Sequence, residues 1–242
     1  MSEPGLANIW VYLSASPLAG LTLTLVAYGL AYRLYLRANA NPLLNPVVTT
    51  VAMLIAFLVL TETPYEAYFA GGQFVHFLLG PATVALAIPL YQQLATLRKT
   101  WLPVSIAIIS GAGIGALSSV FIARLFGASL QTQLSLAPKS VTAPVAMGIS
   151  EKIGGLPSLT AVLVVVTGVI GAVFGTKLLD AMGIKDDSIR GIAMGVTAHG
   201  IGTARAFQVN PQMGAFSGLA MALTAFFSAV LLPAILELTG VL

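Results

Sequence analysis

Long runs of apolar residues dominate the chain, and their lengths match the thickness of a bilayer. About 20 apolar residues span a membrane as a helix. Two apolar segments, 131–150 and 189–207, are interrupted by Gly, Pro, Ser, Thr and a cation. The pattern therefore predicts two interrupted or re-entrant segments and about six spanning helices, which lie at 17–36, 43–61, 74–97, 102–124, 157–180 and 213–236.

The composition agrees with this pattern and narrows the class of protein. Of the 242 residues, 57% are hydrophobic and only 8% are charged, whereas about a quarter of a soluble domain is charged. We therefore expect an all-α integral membrane protein with a single membrane domain over residues 1–242. The net charge of +3 comes from basic residues spread along the chain, which argues against nucleic acid as a partner because nucleic acid requires a clustered basic face.

The basic residues also indicate how the chain crosses the membrane. Cytoplasmic loops are enriched in Lys and Arg. The three basic clusters can share the cytoplasmic side only if segment 131–150 enters from the outer side and returns without crossing. If that segment crosses fully, the third cluster lies outside. The clusters are Arg33 with Arg37, Arg98 with Lys99, and Lys177 with Lys185 and Arg190.

A weak internal repeat supports the same topology. Residues 114–116, Gly127 and residues 141–143 recur 55 or 56 positions later, as 170–172, Gly183 and 196–198. Repeat units of about 102–150 and 157–207, each with one spanning helix and one interrupted segment, would run in opposite directions if the interrupted parts do not cross. That is an inverted repeat, common in secondary transporters. Chance recurrence of small apolar residues is the alternative.

The first interrupted segment contains a cation between two prolines. We expect a short helix to begin near Pro138 and to be broken near Pro144, because an interior proline removes a helix hydrogen bond. Lys139, Ser140 and Thr142 on this break could bind a carboxylate together with a helix N-terminus. The alternative is that Lys139 extends to the lipid headgroups and that the prolines only kink the helix.

The second interrupted segment places a histidine among small and hydroxyl residues. An ionisable side chain at membrane depth is costly and indicates function. His199 could bind a substrate oxygen or carry a proton, since histidine titrates near neutrality, and Arg205 could bind a carboxylate through two hydrogen bonds. A purely structural histidine is the alternative. The expected substrate-binding residues here are Thr197, His199, Thr203 and Arg205, and the expected helix breaks are Gly200 and Gly202.

The remaining candidates are few. Asn45 could cap the second helix or line a cavity. The chain has no cysteine and two histidines, too few for a histidine-built metal site, and it lacks nucleotide-binding and metalloprotease motifs. We therefore expect no enzyme activity, no catalytic residue, no metal and no cofactor.

Residues 41–236 resemble the LrgB/CidB family of bacterial membrane proteins. The resemblance includes inner-membrane members of the YohK type and a related plastid glycolate/glycerate translocator. Alanine at 143 and glycine at 200 depart from the residues common in relatives. The marks of the family are residues 41–46, 81–87, 89–91, 138–144, 154–157, 190–191 and 198–205.

The resemblance implies two functions of different kinds. One is a secondary transporter of small monocarboxylates such as glycolate, glycerate, lactate or pyruvate, coupled to protons through His199. The other is an antiholin-like protein that modulates murein hydrolase activity and autolysis with a small LrgA/CidA-type membrane partner. We place the carrier first. We expect a multi-pass protein of the bacterial inner membrane whose partners are a carboxylate, the lipid bilayer and a second copy in a homodimer.

Overall fold

The computed structural model describes residues 17–39, 41, 44–78, 81, 84, 88, 91 and 94–241. These residues form helices joined by turns, with no strand among them, which confirms the all-α prediction. The chain divides into two compact units at residues 85 and 86. The helices are α1 Pro17–Arg37, α2 Pro46–Leu60, α3 Tyr65–Phe77, α4 Leu94–Leu125, α5 Leu130–Leu136, α6 Ala143–Lys152, α7 Pro157–Ala181, α8 Asp187–Val209 and α9 Pro211–Leu238.

Four of the described helices are long and apolar enough to cross a membrane. They are the spans Leu18–Arg37, Arg98–Leu125, Pro157–Ala181 and Pro211–Leu238. Four predicted helices are thereby confirmed within a few residues. Helix α2 is also apolar but has only 15 residues, fewer than a bilayer requires. The protein is therefore a membrane protein, and the described residues contain four of the six spans that the sequence predicts.

The predicted helix 74–97 is wrong at its start. Residues 65–73, expected in a loop, instead form α3 with the first residues of that prediction. Pro64 explains the early start, because its carbonyl accepts from Ala67 N (3.1 Å) and proline is compatible with a helix N-terminus. Helix α4 then begins at Leu94, and much of 79–93 lies outside the described residues.

In the first unit, α1 packs against α2 and α3. Gly20 allows the closest approach, because a Cβ there would overlap the backbone of Tyr68. One turn later, the hydroxyls of Thr24 and Tyr68 share a hydrogen bond of 2.8 Å. Asn45 is buried and caps α2, accepting from Val47 N at 2.9 Å.

The second unit repeats one turn geometry 56 residues apart. Helix α4 ends before Gly127 and α7 ends before Gly183, and both glycines have φ of +72°. The closing hydrogen bonds also match, from Ala128 N to Ala123 O and from Ile184 N to Leu179 O, both 3.0 Å. Glycine adopts this left-handed conformation without steric cost. The recurrence of Gly127 and Gly183 thus reflects a shared local structure.

Helices α5 and α6 form a hairpin, residues 130–152, that folds back on itself at residues 137–142. Its first arm, α5, runs antiparallel to α4. Ser119 Oγ donates to Leu136 O at 3.4 Å, and Lys139 Nζ donates to Gly115 O at 2.9 Å. The returning arm comes back to Ser135, since Thr160 Oγ1 bonds both Ser135 O (3.0 Å) and Ser150 Oγ (2.7 Å). We call this the first hairpin.

Helix α8 is a second hairpin, residues 187–209, that reverses at His199. The first arm runs parallel to α9: Ser188 bonds Gln212 at 2.9 Å, and Gly195 packs on Ser217. The second arm runs back, because Thr203 bonds Ser217 at 2.9 Å and Phe207 packs on Gly214. The chain reverses where His199 adopts φ 39° and ψ −132°. We call this the second hairpin.

Helix α4 and the first arm of α8 run in the same direction. A Cβ on Gly111 would lie 3.1 Å from Val196 Cγ1. The groove that extends from this contact is lined by residues 100–111 of α4 and 186–197 of α8, so Thr100 and Asp186 lie at the same end. Arg98, Lys99 and Lys185 therefore share that end of the unit, which we call the basic end.

Candidate functional site

The tips of the two hairpins approach each other between α4 and α7. On α4, Gly111 faces Val196 of the second hairpin, and Gly115 faces Ser140 of the first hairpin. Residues four apart share one helix face, about 6 Å apart along the axis. On α7, the Val164 side chain packs in the apolar cluster of the first hairpin, while its carbonyl bonds His199 of the second.

Lys139 places a half-buried cation at the tip of the first hairpin. Its Nζ donates to Gly115 O at 2.9 Å, and no carboxylate pairs with it among the described residues. Gly115 lies ten residues before the end of α4, so the amine lies about 15 Å inside that end. An ammonium has three donors, and two of them are left for an anion.

The prolines around Lys139 act differently from the prediction. No helix begins at Pro138, which is buried in the loop of residues 137–142, and Pro144 does not break a helix. Pro144 instead lies in the first turn of α6, where its missing N–H leaves no helix hydrogen bond unmade. The break therefore precedes Pro144.

Two hydroxyls accompany the cation on this loop. Ser140 and Thr142 are both half-buried. Thr142 occupies the N-cap position of α6, but its side chain makes no capping bond. The loop thus brings one ammonium, two hydroxyls and a helix N-terminus together, a combination of donors suited to an anion.

His199 is the buried turning point of the second hairpin, with 4% of its surface exposed. Its Nε2 lies 2.9 Å from Val164 O. Because a carbonyl only accepts, Nε2 carries the hydrogen, and Nδ1 is the acceptor of the neutral ring. A Cβ on Gly168 would lie 2.7 Å from His199 Cε1, so this glycine makes room for the imidazole.

The predicted helix breaks at Gly200 and Gly202 are one and three residues late. The non-helical residue is His199 itself. A Cβ added at Gly200 would have space, because its nearest neighbour would be Met221 Sδ at 3.9 Å. Gly202 serves packing after the reversal, because its Cβ would lie 3.0 Å from Met194 O on the opposite arm.

The other predicted residues of the second hairpin spread along its arms. Thr197 is exposed and bonds back to Ala193 O at 2.7 Å. Thr203 is buried, donating to His199 O at 2.8 Å and sharing a bond with Ser217 at 2.9 Å. Arg205 is half-buried on the returning arm, with Nη1 3.3 Å from Gln208 Oε1.

Asn45 is part of the other compact unit, and the structure adds residues that the sequence did not predict. Asn45 belongs to the first unit and caps α2. Val164 contributes a backbone carbonyl, for which no sequence signal exists. Ser217 and Gly168 do have a sequence signal, because a hydroxyl and a glycine stand out within apolar spanning helices. The structure shows that Ser217 is fully buried.

Known proteins resemble this chain along most of its length. Residues 24–238 match the LrgB-like family. The protein YwbG of Bacillus subtilis is 36% identical over 85% of this chain and 90% of its own. The holin-like protein CidB of Staphylococcus epidermidis is 33% identical over 89% of this chain and 94% of its own length. The antiholin-like protein LrgB of Bacillus cereus is 29% identical over 93% of this chain and 98% of its own length.

No solved structure matches this chain at a significant level. The family assignment therefore rests on sequence, and it agrees with the resemblance seen in residues 138–144 and 198–205. The match covers both hairpins and all four candidate spans except the start of the first. This chain belongs to the LrgB-like family of membrane proteins.

Proposed function

We propose that this protein acts in the bacterial inner membrane as a holin- or antiholin-like regulator of murein hydrolase activity and autolysis. The observation that carries this proposal is the pair of relatives named holin-like CidB and antiholin-like LrgB, matched over most of both chains. Their names favour this function over the carboxylate carrier that the sequence analysis placed first. A small LrgA/CidA-type membrane protein is the proposed partner, and a homodimer is the proposed assembly.

Autolysis of a deletion strain tests this proposal. Cells lacking the gene are complemented with the wild-type chain or with an empty vector, with and without the LrgA/CidA-type partner. We expect the wild-type chain to change the rate of detergent-induced lysis and the zymogram of secreted murein hydrolases, most strongly with the partner present. Identical lysis curves and zymograms in all four strains would contradict the regulatory function.

A second candidate, a carrier of small monocarboxylates, is favoured by the geometry around Lys139. The ammonium is tied to one backbone carbonyl and lacks a counter-ion among the described residues. An ionised group away from water is costly unless it is paired. A substrate carboxylate would supply the missing charge and could also bind the hydroxyls of Ser140 and Thr142.

The arrangement of the hairpins supports an alternating-access mechanism for this carrier. The first hairpin follows the end of α4 at Leu125, whereas the second enters from the basic end after α7. Two such units pointing in opposite directions would form the inverted repeat on which many secondary transporters are built. Rocking one of these two repeats against the other would open the site first to one side of the membrane and then to the other.

His199 is the proposed proton-coupling residue of the carrier. Its Nε2 is held by Val164 O, so a proton gained by the ring adds a donor at Nδ1. Only the protonated ring could therefore donate to a carboxylate from Nδ1. Substrate binding and proton uptake would then be linked at this ring.

Uptake into liposomes tests the carrier. The purified chain is reconstituted and supplied with labelled glycolate, lactate or pyruvate, with and without a pH gradient. We expect Lys139→Met to weaken uptake about ten- to hundredfold, because a charge-assisted hydrogen bond contributes roughly 1.5–3 kcal/mol. The control is Lys152→Met, which removes an exposed cation from the end of α6.

The two functions predict different outcomes for the same variants. If the wild-type chain alters lysis but takes up none of the three acids, the carrier is excluded for those substrates. If Lys139→Met and Lys152→Met take up substrate equally, Lys139 is not part of an anion site. Loss of uptake together with normal lysis control in Lys139→Met would show that the functions are separate.

A further inference from the structure

An open groove runs along the second unit between α4 and the first arm of α8. It has a volume of about 720 Å³, and Phe216 of α9 forms part of its lining. Its walls are mainly apolar, with Pro103, Ala107 and Gly111 on one side and Ile189 and Val196 on the other. This volume is well within the range of ligand-binding clefts, which are lined mostly by apolar side chains.

The length of the groove matches one leaflet of a bilayer. It extends over twelve residues of α4, from Thr100 to Gly111, and the eleven steps between them span about 16 Å at 1.5 Å each. The hydrocarbon core of a bilayer is roughly 30 Å thick, so half of it is about 15 Å. Trp101, 62% exposed beside Thr100, is the residue type that lies at the headgroup level.

Three cations surround the groove at this basic end. Lys99 precedes Pro103 by four residues and so shares the groove face of α4, Arg98 adjoins it, and Lys185 precedes α8. All three are exposed, and the ion pair found among the described residues involves other groups, Arg190 and Asp180.

Besides Asp180, which is paired with Arg190, two carboxylates lie at this end. Asp186 caps α8, accepting from Ile189 N at 3.0 Å, and Asp187 lies in the first turn. Three cations against two carboxylates leave a net charge of +1. The polar end of the groove is therefore complementary to an anion.

We propose that this groove binds an anionic phospholipid. One acyl chain lies along the apolar walls, and the phosphate is held by Arg98, Lys99 and Lys185. Basic pockets between membrane helices bind anionic headgroups in this manner. The bound lipid joins α4 to the first arm of the second hairpin, and thereby supports the arm that ends at His199.

Native mass spectrometry of the full chain tests the proposal, with dioleoylphosphatidylglycerol and dioleoylphosphatidylcholine as probes. We expect the anionic lipid to bind preferentially. Lys99→Gln with Lys185→Gln should weaken it about 30-fold, since one basic residue contributes roughly fivefold near an anionic lipid surface. The matched control, Arg124→Gln with Lys152→Gln, removes two exposed cations elsewhere and should leave binding unchanged.

Filling the groove tests the acyl chain separately from the phosphate. Ala107 is exposed on the groove wall, so Ala107→Phe should reduce retention of both lipids without disturbing the core. Inorganic phosphate should neither bind nor compete, which distinguishes a lipid headgroup from a free phosphate. Equal binding of both lipids in all variants would overturn the proposal. So would loss of a dimer in Ala107→Phe with unchanged lipid binding, which would assign the groove to a second copy.

Discussion

The two hairpins of the second unit reverse the chain by different means. The first uses six non-helical residues, 137–142, between two short helices. The second uses one residue, His199, whose φ of 39° lies in a region that favours glycine. The first tip therefore has room for side chains that lack partners, whereas the second tip is packed closely against α7.

This difference assigns separate roles to the tips. At the first tip, Lys139 has a single carbonyl partner and its neighbouring hydroxyls are available to a ligand. At the second tip, glycines of α7 contact the chain directly: Gly171 meets Ala198, and Gly168 meets His199. In the proposed carrier, the first tip would therefore supply the ammonium and hydroxyl donors to the ligand, and the second tip would supply a single donor, the protonated ring of His199.

The largest expected effect compares two glycines that the internal repeat aligns. A Cβ at Gly171 would overlap Ala198, whereas a Cβ at Gly115 would have Ser140 Oγ 4.0 Å away as its nearest neighbour. Gly171→Ala should therefore destabilise the fold by about 1–3 kcal/mol through overpacking. Gly115→Ala should be neutral or stabilising by up to about 1 kcal/mol, because alanine favours helix. Unfolding in mixed micelles measures both, and equal losses would contradict the packing difference.

The next effect concerns the backbone of His199. A non-glycine residue at positive φ costs of order 1–3 kcal/mol. His199→Gly and His199→Ala both remove the imidazole, so the difference between their stabilities reports the backbone conformation alone. We expect the glycine variant to be more stable than the alanine variant by about 1–2 kcal/mol in thermal unfolding. At Thr203, whose backbone is helical, the same pair should show the opposite order.

The sequence was sufficient to predict features that depend on composition and periodicity. The spans at 157–180 and 213–236 agree with α7 and α9 within two residues, because a bilayer demands long apolar runs. Gly127 and Gly183, which the sequence indicates only as part of a repeat, have the same φ in both copies. Both features depend on residues that are near one another in the chain, so the sequence is sufficient to indicate them.

The breaks themselves were harder to locate. Glycine and proline are the usual helix breakers, so the sequence predicts breaks at Gly200, Gly202 and Pro144, yet the chain reverses at His199 and before Pro144. Tertiary contacts explain this result. The imidazole is held by Val164 O from another helix, and no property of residues 198–202 alone reveals that bond.

A smaller effect separates the functional from the structural contribution of Lys139. Its ammonium has one hydrogen-bond acceptor and no ion pair among the described residues. An unpaired charge that is partly withdrawn from water carries a desolvation cost, so Lys139→Met should leave the free energy of unfolding unchanged or raise it by about 1 kcal/mol. Chemical denaturation measures this. A loss above about 2 kcal/mol would show that the cation supports the fold.

The smallest expected effect distinguishes the two prolines of the first tip. Pro144 is exposed in the first turn of α6, where replacing it with alanine restores an N–H that needs no helix partner. Pro144→Ala should change stability by only about 0.4–1 kcal/mol, through the greater freedom of the unfolded chain. Pro138 is fully buried in the loop, so Pro138→Ala also leaves a cavity and should cost about 1 kcal/mol more. Thermal unfolding of the two variants compares them directly. If Pro144→Ala were the more damaging, the chain would need that proline to end a helix, and the break would lie there instead of in residues 137–142.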